Sequence, residues 1–214
     1  MQITTLATAT GPHVFWLASR AAGIAALILS SVSVCVGLLM GTRLRAGRGA
    51  ELRVAHEALS LATLAAIAVH GLTLLGDGFL RPSLADISVP FAGSYMTLWT
   101  TAGIVSFWAL ALLGLSYYVR GRIGVQRWRR LHRLAALAWA LGLAHSLGEG
   151  TDAGQSWFLA MVAITTVPAL LALAAIWARR WTATGANDDA GRPAARGGAG
   201  RPATEQPYAM TGQR

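Results

Sequence analysis

The stretch VAHEALSLATLAAIAVHGLTLL, residues 54–75, contains a single charged side chain, Glu57, and two histidines, His56 and His70. A helix that crosses the hydrocarbon core of a bilayer needs about 20 consecutive, mostly apolar residues, and this stretch supplies them. It does not alternate apolar and polar positions as a barrel strand does. Four further stretches read the same way, from Phe15 to Met40, Met96 to Val119, Leu131 to Leu147 and Trp157 to Ala178, the fourth of them short. The expected fold class is therefore an all-α membrane protein, a bundle of about five transmembrane helices. Composition agrees: 54% of the 214 residues are hydrophobic and 13% charged, against about 25% charged in soluble domains.

The formal charge is +9 and every basic residue other than histidine is arginine. Such a balance can mark a nucleic-acid binder, but these arginines sit between apolar stretches, where they act as topology signals. The connection from Gly41 to Arg53 carries Arg43, Arg45, Arg48 and Arg53. The connection from Arg120 to Arg130 carries five arginines and no acid, and the last apolar stretch exits into Arg179 and Arg180. The other two connections hold Arg81 against Asp77 and Asp86, then Glu149 and Asp152 with no base. The positive-inside rule puts the N-terminus outside and the C-terminus in the cytoplasm of a bacterial inner membrane. The expected organisation is an external segment over residues 1–14, a helical bundle over residues 15–182 and a disordered Gly/Ala/Pro/Arg-rich cytoplasmic tail over residues 183–214. The one cysteine, Cys35, permits no internal disulfide or thiolate metal site. No Gly-rich dinucleotide fingerprint is present.

His13 precedes the first apolar stretch and is expected at the outer surface. His56 and His70 lie on the second expected helix and His132 and His145 on the fourth, which runs in the same direction. The four thus fall into two pairs at two depths. Haem iron takes two axial ligands, imidazole among them, and facing helices can clamp a flat macrocycle. Fourteen residues of helix rise about 21 Å, so two such groups would cover much of a core about 30 Å thick. From His56 to His70 the helical phase returns to within about 40°, whereas from His132 to His145 it misses by about 140°. Tilt, an irregular turn near Gly142 or different angles of approach would have to absorb that. The competing reading is that each histidine simply hydrogen-bonds across a helix interface.

These residues resemble the ferric reductase-like transmembrane domain, a group with ferric reductases, NADPH oxidases and the haem-bearing membrane subunit of the periplasmic methionine-sulfoxide reductase system. The resemblance covers residues 12 to 180. It is carried by Trp16-Leu17-Ala18-Ser19-Arg20-Ala21-Ala22-Gly23, by His56 with His70, by Pro90-Phe91 with Trp99, by Arg127-Trp128-Arg129-Arg130-Leu131-His132-Arg133, and by His145. It implies two b haems, held by His56 with His132 and by His70 with His145. Many relatives carry a sixth helix and a cytoplasmic flavin and nucleotide module. Neither is expected in this chain, so a quinone or a partner flavoprotein would supply electrons.

Arg20 sits about a turn inside the first expected helix, where it can pair with a haem propionate or snorkel to lipid headgroups. Arg133, next to His132, is the best propionate candidate at the inner side, while Arg129 and Arg130 read as topology residues. The reading is a membrane haem b protein, the transmembrane component of an oxidoreductase. It carries electrons from a cytoplasmic quinol or flavoprotein to an external acceptor or redox enzyme, with lipid as its solvent and no nucleic acid partner. Two rivals belong to other classes: a histidine-based transporter or proton relay, and a haem-containing anchor subunit for a partner enzyme. Such relays usually pair histidine with an acid, and Glu57 is the one acid expected near a helix interior.

Overall fold

The structure is a computed structural model that describes the backbone of residues 3–41 and 49–190, and the side chains of residues 13–41, 49–176 and 178. Among the described residues it is entirely helical. The long elements are α1 (Ile3–Gly41), α2 (Gly49–Leu74), α4 (Thr97–Leu115), α7 (Ala135–Glu149) and α8 (Ser156–Ala190). Between them lie the short helices α3 (Leu84–Ser88), α5 (Arg120–Ile123) and α6 (Val125–His132), with a 3₁₀ turn at Ser116–Val119. The chain divides into a compact unit, Met1–Ile176, and a second, Trp177–Arg214, whose described part is the end of α8.

Among the described residues four helices are long and apolar enough to cross a membrane: His13–Gly41, Gly49–Leu74, Thr97–Ile123 and Ser156–Ile176. The expected fourth span, Leu131 to Leu147, is not among them. It is broken at Arg133–Leu134 into α6 and α7, and fifteen residues of α7 rise only about 22 Å. At the break the Leu134 amide bonds the Leu131 carbonyl at 2.9 Å, an i to i−3 turn. α1 begins at Ile3, because the uncharged run ahead of Phe15 continues the helix; His13 is an exposed residue of α1 and does not precede it. α8 continues to Ala190, past the expected start of the tail. Arg43, Arg45, Arg48 and residues 191–214 lie outside the described residues.

The helices bury little against one another. Leu72, Leu98, Leu112, Ile164 and Leu171 point outward at 58% exposure or more, the arrangement of a protein whose solvent is lipid. α1 packs chiefly on α2, and α4 chiefly on α7, giving two hairpins. A small apolar core of Leu27, Phe158 and Val162, with Ile24, Leu143 and Met161, joins α1, α7 and α8. Polar side chains supply specific cross-links, since lipid offers hydrogen-bonding groups no alternative. Ser106 Oγ donates to the Ala138 carbonyl at 2.8 Å, tying α4 to α7. The indole of Trp139 donates to Ser31 Oγ at 3.2 Å, tying α7 to α1, and both residues are buried. No buried side-chain nitrogen or oxygen among the described residues lacks a partner.

The connection from α2 to α4 does not stand off as a free loop. Ser83 and Asp86 form a capping box that starts α3, and the Ser83 backbone N–H and hydroxyl hold the Asp86 carboxyl below the usual carboxylate range. The Phe91 amide then donates to Thr101 Oγ1 at 3.0 Å, and the Trp108 indole donates to the Ser88 carbonyl at 2.8 Å. Trp108 lies about three turns along α4, so this connection runs down the side of that helix. It also holds the three positive-φ non-glycine residues found among the described residues, Arg81, Phe91 and Met96.

Candidate functional site

The four histidines come together as the sequence predicts. His56 on α2 faces His132 on α6 with ring centroids 6.0 Å apart, and His70 on α2 faces His145 on α7 at 6.3 Å. A metal ion between two imidazoles needs two bonds of about 2.0 Å, and with about 1.1 Å from each nitrogen to its ring centre the centroids fall about 6.2 Å apart. Both pairs sit at that separation.

The other ring nitrogen settles which atom faces the gap. Every Nδ1 meets a backbone carbonyl on the neighbouring helix: Ser33 for His56 at 3.0 Å, Ser19 for His70 at 2.8 Å, Leu113 for His132 at 3.3 Å and Trp99 for His145 at 2.9 Å. A carbonyl only accepts, so each Nδ1 carries the proton and each Nε2 keeps its lone pair. Among the described residues no hydrogen bond engages any of the four Nε2 atoms. An orienting acceptor behind a histidine is the arrangement that metal-ligating imidazoles show.

The acceptors repeat. Ser19 and Ser33 on α1 are fourteen residues apart, as are Trp99 and Leu113, the second pair along the chain from α4. Four residues beyond three of these acceptors stands a glycine pressed against the ring that the acceptor holds. A Cβ on Gly23 would lie 3.0 Å from His70 Nδ1, one on Gly37 3.1 Å from His56 Cε1, and one on Gly103 2.9 Å from His145 Nδ1. Carbonyl and glycine make a socket in which the ring lies flat against backbone. The fourth socket differs: Tyr117 stands at the glycine position. There Trp128 stacks on His132 at 4.9 Å and Tyr117 packs on Trp128 at 5.8 Å. The sockets were missed in the sequence. Their signal was a Ser-x-x-x-Gly repeated at the spacing of the α2 histidines.

The phase mismatch between His132 and His145 is met at Arg133–Leu134, not near Gly142. A 3₁₀-type turn advances about 120° per residue where an α-helix advances about 100°, which recovers part of the 140°, and the two rings also belong to separate helices. Gly142 has another job: its missing Cβ would lie 2.8 Å from Ser106 Oγ, so it lets α4 and α7 approach closely.

A cavity of about 480 Å3 opens beside His70 and His145, a size within the usual range for small-molecule and cofactor pockets. Arg20 lines it, but its guanidinium is engaged by Asp152 through two bonds, Nε to Oδ2 at 2.6 Å and Nη2 to Oδ1 at 2.5 Å, and lies over the Trp16 ring. Arg133 is exposed beside His132 and pairs with no acid among the described residues. Glu57 accepts from the Tyr118 hydroxyl at 2.7 Å. The acid that does reach a histidine is Glu149, which ends α7 with a carboxylate oxygen 3.2 Å from His145 Nδ1. Sequence reading had left Glu149 in the outer connection. Among the described residues no group of three or more His, Cys, Asp or Glu side chains is placed to hold a metal ion.

The fold and the site define a multi-pass helical membrane protein with two stacked pairs of facing imidazoles. The family model for the ferric reductase like transmembrane component matches residues 22–143, more than half of the chain, and the chain belongs to that family. The match takes in His56, His70 and His132 and ends two residues before His145. No curated protein and no solved structure matches the chain.

Proposed function

We propose that the chain holds two b haems and carries electrons across a bacterial inner membrane, one haem between His56 and His132 and the other between His70 and His145. The observation that carries this reading is the combination of a two-bond gap in each pair with a carbonyl behind every Nδ1. Haem supplies the one-electron couple; the protein supplies ligands, depth and electrostatics. The histidines of α2 stand about 21 Å apart along the helix, so the two sites together bridge most of the apolar core.

Each residue then has a distinct task. The carbonyls of Ser19, Ser33, Trp99 and Leu113 fix the ligand tautomer, and Gly23, Gly37 and Gly103 clear space for the rings. Arg133, exposed beside His132, would hold an inner propionate. Arg20 lines the outer cavity, where a propionate would share its guanidinium with Asp152. The arginine-rich first and third connections favour an external N-terminus and a cytoplasmic C-terminus. Electrons on this orientation enter at His56 and His132 from a quinol or flavoprotein and leave beside His70 and His145 to an external acceptor.

The His145–Glu149 contact is the observation that favours a proton relay instead, since it pairs an intramembrane histidine with an acid. A pyridine haemochrome assay and a reduced-minus-oxidised spectrum of the purified protein separate the two. The haem reading expects close to two low-spin haems per chain; protein that folds without pigment in haem-replete cells rules it out. A reporter fused after Arg180 should be active only in its cytoplasmic form.

A further inference from the structure

The two sites are not electrostatically equivalent. At three of the four histidines the atoms around Nδ1 are uncharged: a serine carbonyl and hydroxyl for His56 and for His70, and the Leu113 carbonyl for His132. His145 alone has a carboxylate there. Its N–H is aimed at the Trp99 carbonyl, and Glu149 Oε2 lies 3.2 Å from the same nitrogen as a second, less aligned acceptor.

Glu149 is held in that position. Thr100 Oγ1 lies 3.1 Å from Oε1, 3.0 Å from Oε2 and 2.9 Å from the Tyr95 carbonyl, so its single proton is shared between the carboxylate and that carbonyl. The carboxylate is 18% exposed and the ring 24%, so water screens the pair incompletely. The other charged side chains that line the cavity, Arg20 and Asp152, are paired with each other, which leaves Glu149 as the one carboxylate there without a cationic partner of its own.

We propose that Glu149 is a positioning residue that acts through His145 to lower the reduction potential of the outer site relative to the inner one. The inference rests on the haem reading above. A negative charge behind an axial imidazole increases the electron density the ring donates. It stabilises the oxidised metal, which carries one positive charge more than the reduced one. Among the described residues the inner site has no such carboxylate at a ligand Nδ1: behind His132 stand the Leu113 carbonyl and the stacked indole of Trp128, and Glu57, next to His56 in the chain, accepts from the Tyr118 hydroxyl.

The test is a spectroelectrochemical titration of the purified two-haem protein, with the outer couple identified as the one missing from His70→Ala. In Glu149→Gln, which keeps the shape and removes the charge, the outer couple should move to a more positive potential. A tenfold change in its reduction equilibrium, 59 mV for one electron, is expected, while the inner couple stays in place. Thr100→Val, which frees the carboxylate, should move the outer couple the same way by less. A site held only sterically would show altered haem content or spin state without this one-sided shift. An unchanged outer potential in Glu149→Gln, or an equal shift of both couples, overturns the proposal. Should Glu149→Gln assemble poorly, Thr100→Val decides by the same criterion. Wild-type protein without haem would instead defeat the parent reading, before any variant is compared.

Discussion

Gly103→Ala should empty the outer site selectively. The new Cβ would stand 2.9 Å from His145 Cγ and Nδ1 and 3.0 Å from Cε1. Unbonded carbon atoms settle at about 3.5–4.0 Å, so the ring or α4 must yield by about 0.6 Å. The ring has nowhere free to go. Its Nδ1 is tied to the Trp99 carbonyl one turn before Gly103, and its far side faces His70 across a gap that already matches two metal bonds. Overpacking of this kind costs about 1–3 kcal/mol, roughly a 5- to 150-fold loss in occupancy at limiting haem. The assay is haem per chain together with the low-spin signal of each site, on protein purified from cells with controlled haem supply. Gly114→Ala on the same helix is the control, because nothing lies within 4 Å of its added Cβ; it should leave both sites full. Gly103→Ala protein with two haems and unaltered outer low-spin character would refute the socket reasoning.

The histidines themselves should separate by pair: His70→Ala or His145→Ala should remove or convert the outer haem signal and spare the inner, with His56→Ala and His132→Ala doing the reverse, read by low-temperature difference spectra. Pigment unchanged in His145→Ala would place the outer ligand elsewhere. Arg20→Met and Asp152→Asn should each lower stability in detergent by about 1–3 kcal/mol, the range for losing a charged hydrogen bond, and the double variant should cost less than the sum. Additive losses in thermal unfolding would show that the pair is not coupled. Trp139→Phe should cost about 1 kcal/mol by deleting the bond to Ser31, and because Trp139 lines the outer cavity, any change in the haem spectra should be confined to the outer site; a change in the inner signal alone would refute that placement.

Four of the five expected spans and the two pairings of the four histidines were legible in the sequence, because membrane thickness and helical rise leave few solutions. The break at Arg133–Leu134 was not. Leu131 to Leu147 is a mostly apolar run with His132 and Arg133 at its start, and an arginine at a helix end reads as snorkelling and does not mark where a hydrogen bond shortens from i−4 to i−3. The sockets were half legible. Ser19, Gly23, Ser33 and Gly37 carry a visible period, but the operative acceptor is a backbone carbonyl, which every residue has, and only the helix pairing says which one a ring will find. At Trp99 and Leu113 the same acceptor has no signature at all. Glu149 was misread for a related reason: a residue at the boundary of helix and connection looks like loop until the last turn of α7 swings it back to His145, four residues earlier.

The two hairpins have a consequence for how the molecule is made. Each contributes one imidazole to each pair, and direct contacts between them are sparse beside those within them. Translation would thus deliver two prefabricated halves, and the pigment would act as the dowel between them. Cutting the chain within residues 75–96 should leave two fragments that rejoin when haem is supplied and drift apart when it is not. Iron supply would then govern how much of the protein survives membrane quality control, in addition to how fast it works, and a starved cell would clear the idle halves.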